Sequence, residues 1–366
     1  MTSKGRTQDI VVVGPMCPFG KWALDLVLEI GGQAHTLGHV DARWVGLGDD
    51  VASVGSNAGK RQLIVTPEPN AALVEIIRRR DVIVVAILED PLDILEYNRA
   101  ISPGEPANNL RALSLTSTIN LALRSNRNIL FVFRDPSLMA RDVATRLLEH
   151  LDLPLPVETA SRIIDKFAGS PSDGLSLEKA IARHSEHYKP PVRAGTDLEA
   201  DPIAHAVVQA FDPLLKMAWG APVEKVAWSP WMFIEETSRK SIGPRMLDLT
   251  GPARPLYCGP FWSLPPGMYR ASIGIDVDAA AVGIRFAIEL YWGSGGDKLN
   301  CRRLIQPEVA GRQFGSFDVR IDRPDEAVDV RLKLLEPCLE GQISLIEIEF
   351  LFISDLDSTP AASPAE

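Results

Sequence analysis

A glycine-bearing turn at residues 14–22 is the segment of this sequence best suited to hold a charged ligand. It follows the apolar run 9–13 and precedes a segment with apolar residues at helical spacing. Backbone N–H groups and the helix dipole converge on such a turn, so the pattern predicts an anion site, usually for phosphate. Lys21 would add a cation there. A metal-dependent kinase is not expected, because Trp22 replaces the Ser or Thr that holds magnesium in a Walker A sequence.

Acid–base and nucleophilic candidates lie near this turn. A general base for an acceptor hydroxyl would come from the loop region that holds His35, His39, Asp49 and Asp50, and we take His39 as the candidate, although such side chains are more often simply solvated. The four cysteines show no CxxC pair and no zinc-like spacing to histidine, so we predict free thiols and no metal site. Cys17 is either a nucleophile at a helix start or, more commonly, a small buried side chain.

Aromatic side chains in the C-terminal part suggest a second site, for carbohydrate. Sugars present apolar C–H faces that stack on aromatic rings, while polar side chains bind their hydroxyl groups. The alternative is that such rings fill the core of a sheet sandwich. The candidates are Tyr257, Phe261, Trp262, Tyr291, Trp292 and Arg270, with Asp297 and Arg302 as further polar groups.

The N-terminal half alternates short apolar runs with helical patterns. Helices are predicted from Lys21 to the Gly31–Gly32 pair and at 70–79, 110–123 and 137–151, with a further helical stretch at 159–188 interrupted at 169–174. Buried strands are predicted at 9–13, 82–88 and 129–133. Alternating strands and helices predict a parallel sheet with right-handed crossovers.

Beyond Trp228 the pattern changes to strands alone, at 268–277, 282–292, 315–321, 327–335 and 342–353. Such a series with no helix between its members predicts an antiparallel sandwich or jelly roll. The expected organisation is an α/β domain at 1–190, a linker with a bridging helix at 191–227, an all-β domain at 228–354 and a disordered tail at 355–366.

Composition narrows the classes of partner. The formal net charge is -10, from 38 basic and 48 acidic side chains in 366 residues, which argues against general binding to nucleic acid or anionic lipid. No segment has the roughly 20 apolar residues that a membrane span needs, and the N-terminus lacks the apolar core of a secretory signal. We therefore expect a cytoplasmic protein that is not an integral membrane protein. The sequence carries no signal for oligomeric state.

Residues 8–165 resemble the sulfotransferases that use 3′-phosphoadenosine 5′-phosphosulfate (PAPS). Bacterial members have a turn close to GMHRSGTSAL, with which Met16, Gly20, Ala23 and Leu24 fall in register. The family's strand ending in Arg-Asp-Pro has its counterpart at residues 89–91, and its late strand and helix end at 129–154. The resemblance implies a P-loop-like α/β fold in which Lys21 is catalytic together with the candidate base His39. It also implies that PAPS is held by Gly14, Cys17, Phe19, Gly20, Lys21, Trp22 and Asp90.

Departures from the family pattern decide between an enzyme and a scaffold. Pro18, Phe19, Lys21 and Trp22 stand where the family places the groups that contact the 5′-phosphosulfate. Glu89 replaces the arginine that grips the 3′-phosphate, and a carboxylate facing a phosphate costs energy unless a cation intervenes. An active sulfotransferase needs several convergent cations around the turn, whereas a scaffold does not.

Residues 247–353 resemble a sandwich module attached to bacterial glycan-synthesis proteins, whose recognisable phrase is YGPYxxLPPGxYR. The matching residues, with Cys258 inserted or substituted, are Tyr257, Gly259, Pro260, Phe261, Leu264, Pro265, Pro266, Gly267, Tyr269 and Arg270. The resemblance implies a carbohydrate or polysaccharide partner. Three hypotheses result: a glycan-binding or glycan-assembly protein with a degenerate sulfotransferase-like domain, an active carbohydrate sulfotransferase, and a structural or receptor-binding component that recognises surface glycan.

Overall fold

A computed structural model describes residues 8–45, 61–67, 73, 77, 82–101, 129–188, 197–218, 222–238, 240, 242–292, 298–322 and 327–355. These residues belong to two compact units, which we call the α/β unit (within residues 8–188) and the β unit (from Asp197 onward). No helix among the described residues is both long enough and apolar enough to span a bilayer.

The α/β unit is built on a five-stranded sheet in the order β2-β3-β1-β4-β5, with all neighbours parallel. Its central strands are fully or almost fully buried, as expected for short β-branched runs covered on both faces. The predicted parallel α/β fold is confirmed. The strands are β1 (Ile10–Val13), β2 (Val40–Trp44), β3 (Arg61–Thr66), β4 (Ile83–Leu88) and β5 (Ile129–Phe133).

Five helices of this unit lie within the described residues. They are α1 (Pro18–Thr36), α2 (Pro91–Ile101), α3 (Ala140–Leu151), α4 (Val157–Ala168) and α5 (Leu177–His184). The interruption predicted at 169–174 separates α4 from α5. Of the helix predicted at 70–79 only Leu73 and Ile77 are described, and both are helical and buried; the helix predicted at 110–123 lies outside the described residues.

Helix α1 continues past the Gly31–Gly32 pair that was predicted to end it. Gly31 is needed for packing, because an added Cβ would lie 2.4 Å from Leu63 Cδ2 on the neighbouring strand β3. The helix ends before Gly38, whose φ of +78° is the left-handed conformation typical of a helix C-terminus. The prediction that the helix ends at this pair was wrong, because Gly31 is required for close packing inside the helix and does not end it.

The β unit is the predicted β-sandwich of two antiparallel sheets. One sheet has the order β13-β12-β15-β9-β7, with β10 beside β15, and the other has the order β14-β11-β16-β6, with β8 beside β16. The strands are β6 (Lys225–Trp228), β7 (Ile234–Glu235), β8 (Leu247–Asp248), β9 (Arg254–Cys258), β10 (Pro260–Trp262), β11 (Gly267–Val277), β12 (Phe286–Trp292), β13 (Lys298–Ile305), β14 (Gly311–Ile321), β15 (Val328–Leu334) and β16 (Gln342–Ser354).

Helix α6 (Pro202–Ala218) lies in the stretch predicted to be a linker with a bridging helix, and it belongs to the β unit. Its Phe211 ring meets the Trp262 ring edge to face, with centroids 4.7 Å apart. The helix therefore contributes to the core of the β unit, and this compact unit begins well before Trp228.

Candidate functional site

The turn after β1 is tightly folded around its own backbone. Pro18 is the first residue of α1, and Cys17 caps the helix by accepting the Gly20 N–H on Sγ at 3.4 Å. The Lys21 N–H donates to the Cys17 carbonyl at 2.8 Å. Gly20 is required here, since an added Cβ would lie 1.8 Å from the Pro15 carbonyl oxygen. The N–H groups of Gly20 and Lys21 are thus engaged within the protein.

Cys17 is fully buried beneath this turn and contacts an acid from the end of β4. Its Sγ lies 3.7 Å from Glu89 Oε2. Burial, followed by the nearby charge of Glu89, raises the pKa of the Cys17 thiol well above its usual value. A buried thiol that stays protonated is a poor nucleophile. The geometry favours the small buried side chain among the two interpretations of Cys17.

A buried ionic group, which we call the Arg134 cluster, lies beside Cys17 and comprises Arg134, Glu89, Asp93, Glu178 and Tyr188. Arg134 follows β5, and its side chain is 3% exposed. Its guanidinium contacts Glu89 at 3.3 Å, Asp93 at 3.5 Å and Glu178 at 2.6 Å. The Tyr188 hydroxyl donates to Glu178 at 2.8 Å. One cation is therefore shared by three carboxyl groups.

The electrostatics of the Arg134 cluster follow from its burial. Loss of solvent raises the pKa of Glu89 to about 8, because the attraction of Arg134 only partly offsets it and Asp93 adds repulsion. Burial also acts on Glu178, but the hydrogen bonds from Arg134 and Tyr188 outweigh it and lower the pKa of that carboxyl. Burial opposes the charge on Arg134, yet its acidic neighbours raise the guanidinium pKa. Arg134 remains a cation, and Glu89 takes up a proton more readily than Glu178 does.

These residues do not fit PAPS bound at the turn. Pro15 and Pro18 offer no N–H group, and the N–H groups of Gly20 and Lys21 are already engaged. The cation at the strand ends, Arg134, is already matched by three acids. A phosphosulfate placed here would meet carboxylates rather than convergent cations.

Three of the predicted PAPS contacts have other surroundings. The rings of Phe19 and Trp22 are fully buried and stack with centroids 6.2 Å apart, and Trp22 Nε1 donates to the Phe167 carbonyl at 3.2 Å. These two rings pack α1 onto the unit and present no surface to a ligand. Lys21 is exposed at the start of α1.

The remaining predicted residues lie elsewhere or have a structural role. Asp90 Oδ1 accepts the Leu92 N–H at 2.9 Å at the start of α2, which is the geometry of a helix cap. His39 precedes β2 at the opposite end of α1, a helix of 19 residues and therefore roughly 28 Å long. The structure thus contradicts His39 as a base acting at the turn. Asp49 and Asp50 lie outside the described residues.

The predicted aromatic candidates divide into core and surface. Tyr257, Trp262 and Trp292 are 1%, 0% and 7% exposed, so their rings fill the interior of the β unit and offer no face to a sugar. For these three the core alternative describes the structure. Phe261 is half-buried with a φ of +64°. Asp297 lies outside the described residues.

Tyr291 lies in a polar network on the outer face of β12 and β15. Its hydroxyl donates to Glu289 Oε2 at 2.6 Å, and Lys333 Nζ lies 2.6 Å from the same oxygen. Arg331 Cζ lies 4.2 Å from the centroid of the Tyr291 ring. The charged groups of this network pair with one another, since Asp329 also forms an ion pair with Arg331 at 2.5 Å. Much of the ring is therefore covered by protein partners.

A different aromatic ring is openly displayed on the other sheet. Phe314 of β14 is 60% exposed and pairs with Gly274 of β11. The ring lies close against the glycine, since an added Cβ on Gly274 would be 2.7 Å from Phe314 Cε1. A glycine beneath an aromatic ring lets the ring lie low across the strands. The result is an apolar platform that faces solvent.

Polar side chains surround this platform on the outward positions of β11, β14 and β16. Arg270 Nε donates to Asp318 Oδ1 at 2.9 Å, and both side chains are about half exposed. Carboxylates, hydroxyls and the 51% exposed Leu351 also lie on this surface. We call it the Phe314 face: Phe314, Gly274, Arg270, Asp318, Ser272, Ser316, Glu347, Glu349 and Leu351. Of the predicted carbohydrate contacts, Arg270 belongs to this face.

Sequence reasoning missed Phe314, although the signal was present. Phe317, Val319 and Ile321 are buried at alternate positions of β14, and a period of two places Phe314 on the opposite, outward face. The prediction began this strand at residue 315, whereas β14 begins at Gly311. The late start left Phe314 outside the strand.

Comparison with known proteins gives weak likenesses. No family model and no curated protein matches the chain. Mouse sulfotransferase SULT7A1, solved with PAP, is similar at 14% identity over 59% of this chain and 90% of that chain, with a TM-score of 0.38. TmCBM61 in complex with β-1,4-galactotriose is similar at 8% identity over 40% of this chain and 96% of that chain, with a TM-score of 0.24. The Glycosylation Associate Protein (Gap123) complex from Streptococcus agalactiae is similar at 10% identity over 34% of this chain and 41% of that chain, with a TM-score of 0.21. Scores this low assign neither an activity nor a ligand to this chain.

Proposed function

We propose that this chain is a glycan-binding protein and that its β unit holds a carbohydrate or polysaccharide on the Phe314 face. Sugar rings pack their apolar C–H faces on aromatic rings, and carboxylate, hydroxyl and guanidinium groups bind the hydroxyls around them. The Phe314 face supplies both kinds of contact on one sheet surface. A role in polysaccharide assembly would follow from such binding.

The observation that carries this proposal is the placement of Phe314. A phenylalanine 60% exposed gains little from its own packing, and here it lies against Gly274 among polar outward side chains. The polar neighbours are already oriented, since Arg270 and Asp318 form a two-point ion pair at 2.9 Å and 3.4 Å. A sugar would therefore meet a prearranged surface.

The α/β unit has no transferase role in this proposal. An active sulfotransferase would need convergent cations at the turn, but the charge of Arg134 is matched by acids. Cys17 and Gly20 close the turn on itself. These features support the degenerate domain among the hypotheses rather than the active enzyme.

The test is a glycan array probed with the purified full chain and with Phe314→Ala. We expect binding to a subset of glycans by the wild type and its loss in the variant. Leu339→Ala is a matched control, because Leu339 is 94% exposed on the same unit but is not part of the Phe314 face. Equal binding by all three proteins would contradict the proposal.

A protein partner is the second candidate, favoured by the exposed edge of the β unit. Strand β13 is the last strand of its sheet and is largely exposed along its length. Leu299 and Leu304 are 51% and 70% exposed on it, and Val309, in the following turn, is 64% exposed. If the array shows no glycan bound, pull-down with Leu304→Asp as the negative control tests this edge as a protein interface.

A further inference from the structure

Three strand ends and one helix start meet at a single place in the α/β unit. The turn before α1 follows β1, Glu89 follows β4, and Arg134 follows β5. In open parallel sheets, ligands bind beyond the carboxyl ends of the strands, and anions rest at helix N-termini. This is where a phosphate would be expected.

The side chain of Glu89 is what lies at that place. Glu89 Oε2 is 3.7 Å from Cys17 Sγ, the cap of α1, and 3.3 Å from Arg134 Nη1. The side chains of Glu89 and Arg134 are 1% and 3% exposed, so the position is sealed from solvent. The Glu89 carboxyl group thus contacts the thiol of the residue that caps α1 and the Arg134 guanidinium through Oε2, while its Oε1 accepts the Asp90 N–H at 3.1 Å.

We infer that Glu89 fills the anion position of the α/β unit with its own carboxyl group and thereby closes the unit to phosphate-bearing ligands. The inference extends beyond glycan binding by the β unit and does not depend on it. Asp93 and Glu178 strengthen the closure, because each takes a share of Arg134 at 3.5 Å and 2.6 Å. An entering phosphate would have to displace Glu89 and compete with two further acids.

Removing the filling group should open the position. In Glu89→Ala the carboxyl group and its volume are lost, while Arg134 and the start of α1 remain. We expect saturable binding of inorganic phosphate and of adenosine 3′,5′-bisphosphate to the full-length variant, and no saturable binding to the wild type at concentrations tenfold above the Kd of the variant. Isothermal titration at constant ionic strength measures it.

Two matched variants test whether phosphate is excluded by the volume of the Glu89 side chain or by the negative charge around Arg134. Glu89→Gln keeps the size of the side chain but cannot ionise, so it should remain closed. Glu178→Gln removes a carboxylate from Arg134 at α5, away from the α1 turn, and it should remain closed as well. Equal gain of binding in all three variants would show that net charge alone excludes phosphate and would overturn the inference.

The wild type provides a readout that needs no variant to fold. Exchange of chloride for phosphate at equal ionic strength should give no saturable rise in its unfolding temperature, and addition of adenosine 3′,5′-bisphosphate should leave that temperature unchanged. A saturable rise with either ligand would overturn the inference. A Glu89→Ala protein with native circular dichroism but no phosphate binding would overturn it too. Neither result bears on glycan binding, which the array tests separately.

Discussion

At the scale of residues, the side chains that could bind or react with a ligand differ in their exposure to solvent. Cys17 and Glu89 are sealed in the α/β unit, whereas Phe314 is displayed on the β unit. Residue type alone does not separate these cases, because a phenylalanine or a glutamate is compatible with either environment. The neighbouring residue determines the environment of each side chain: Gly274 lies beneath the exposed Phe314 ring, and Arg134 lies beside the buried Glu89.

The glycine beneath Phe314 gives a residue-scale prediction. In Gly274→Ala the new Cβ would lie 2.7 Å from Phe314 Cε1, so the ring must lift from the sheet. We expect the glycan Kd to rise about tenfold, equivalent to about 1.4 kcal/mol, in titration calorimetry. Gly315→Ala is the control, because its Cβ would meet only Ile305 Cδ1 at 3.9 Å. Unchanged affinity in Gly274→Ala would argue against a low-lying ring as the platform.

Glu89 gives a second residue-scale prediction, in the pH dependence of stability. Its pKa rises from 4.5 in the unfolded chain to about 8 in the folded one, so the folded chain binds the proton more tightly. The resulting stability is complete below about pH 4 and is lost as the pH rises through 8, by up to about 5 kcal/mol. Urea unfolding between pH 5 and pH 9 measures it.

The control for this pH effect is Glu89→Gln, which keeps the size of the side chain and cannot titrate. Its free energy of unfolding should fall less steeply than that of the wild type over the same pH range. Parallel curves for the two proteins would mean that Glu89 does not carry the effect.

At the scale of elements, neighbouring glycines in α1 have opposite requirements. Gly31→Ala should lower the free energy of unfolding by about 1–3 kcal/mol, because the new Cβ would press on the buried Leu63 side chain at 2.4 Å. Gly32→Ala should raise it by about 0.5–1 kcal/mol, since nothing lies within 4 Å and alanine favours the helix. Thermal unfolding of both variants measures the difference. The same sign for both would contradict the packing role of Gly31.

Strands were predictable where a buried apolar run or alternation is visible in the sequence, but some edge strands were missed, and so was the buried strand β3, which begins with the polar residues Arg61 and Gln62. The central strands β1 and β4 appear where the sequence predicts them, because they are continuous apolar runs buried on both faces. The long strands β11 and β16 appear there because one buried face fixes their alternation. Strand β13 was missed, because as an exposed edge strand it carries polar residues such as Asn300, Arg302 and Arg303 without alternation. Tertiary position, not local pattern, makes it a strand.

At the scale of the whole molecule, the order of elements predicted an α/β unit followed by a β-sandwich, and both are present. The sites were harder to predict, since they depend on residues distant in sequence. Glu89 meets Arg134 across 45 positions, and Gly274 meets Phe314 across 40. The expected cytoplasmic location stays a prediction.

Glycan binding on the Phe314 face is tested most directly by titration calorimetry of the wild type and Phe314→Ala. The ligands are soluble polysaccharides such as galactan, xylan and β-glucan. We expect a polysaccharide that the full chain binds to be bound at least tenfold more weakly by Phe314→Ala. Phe314→Trp, which keeps an aromatic platform, and Leu339→Ala should retain the binding. Wild-type affinity in Phe314→Ala would contradict the claim that this ring holds the glycan.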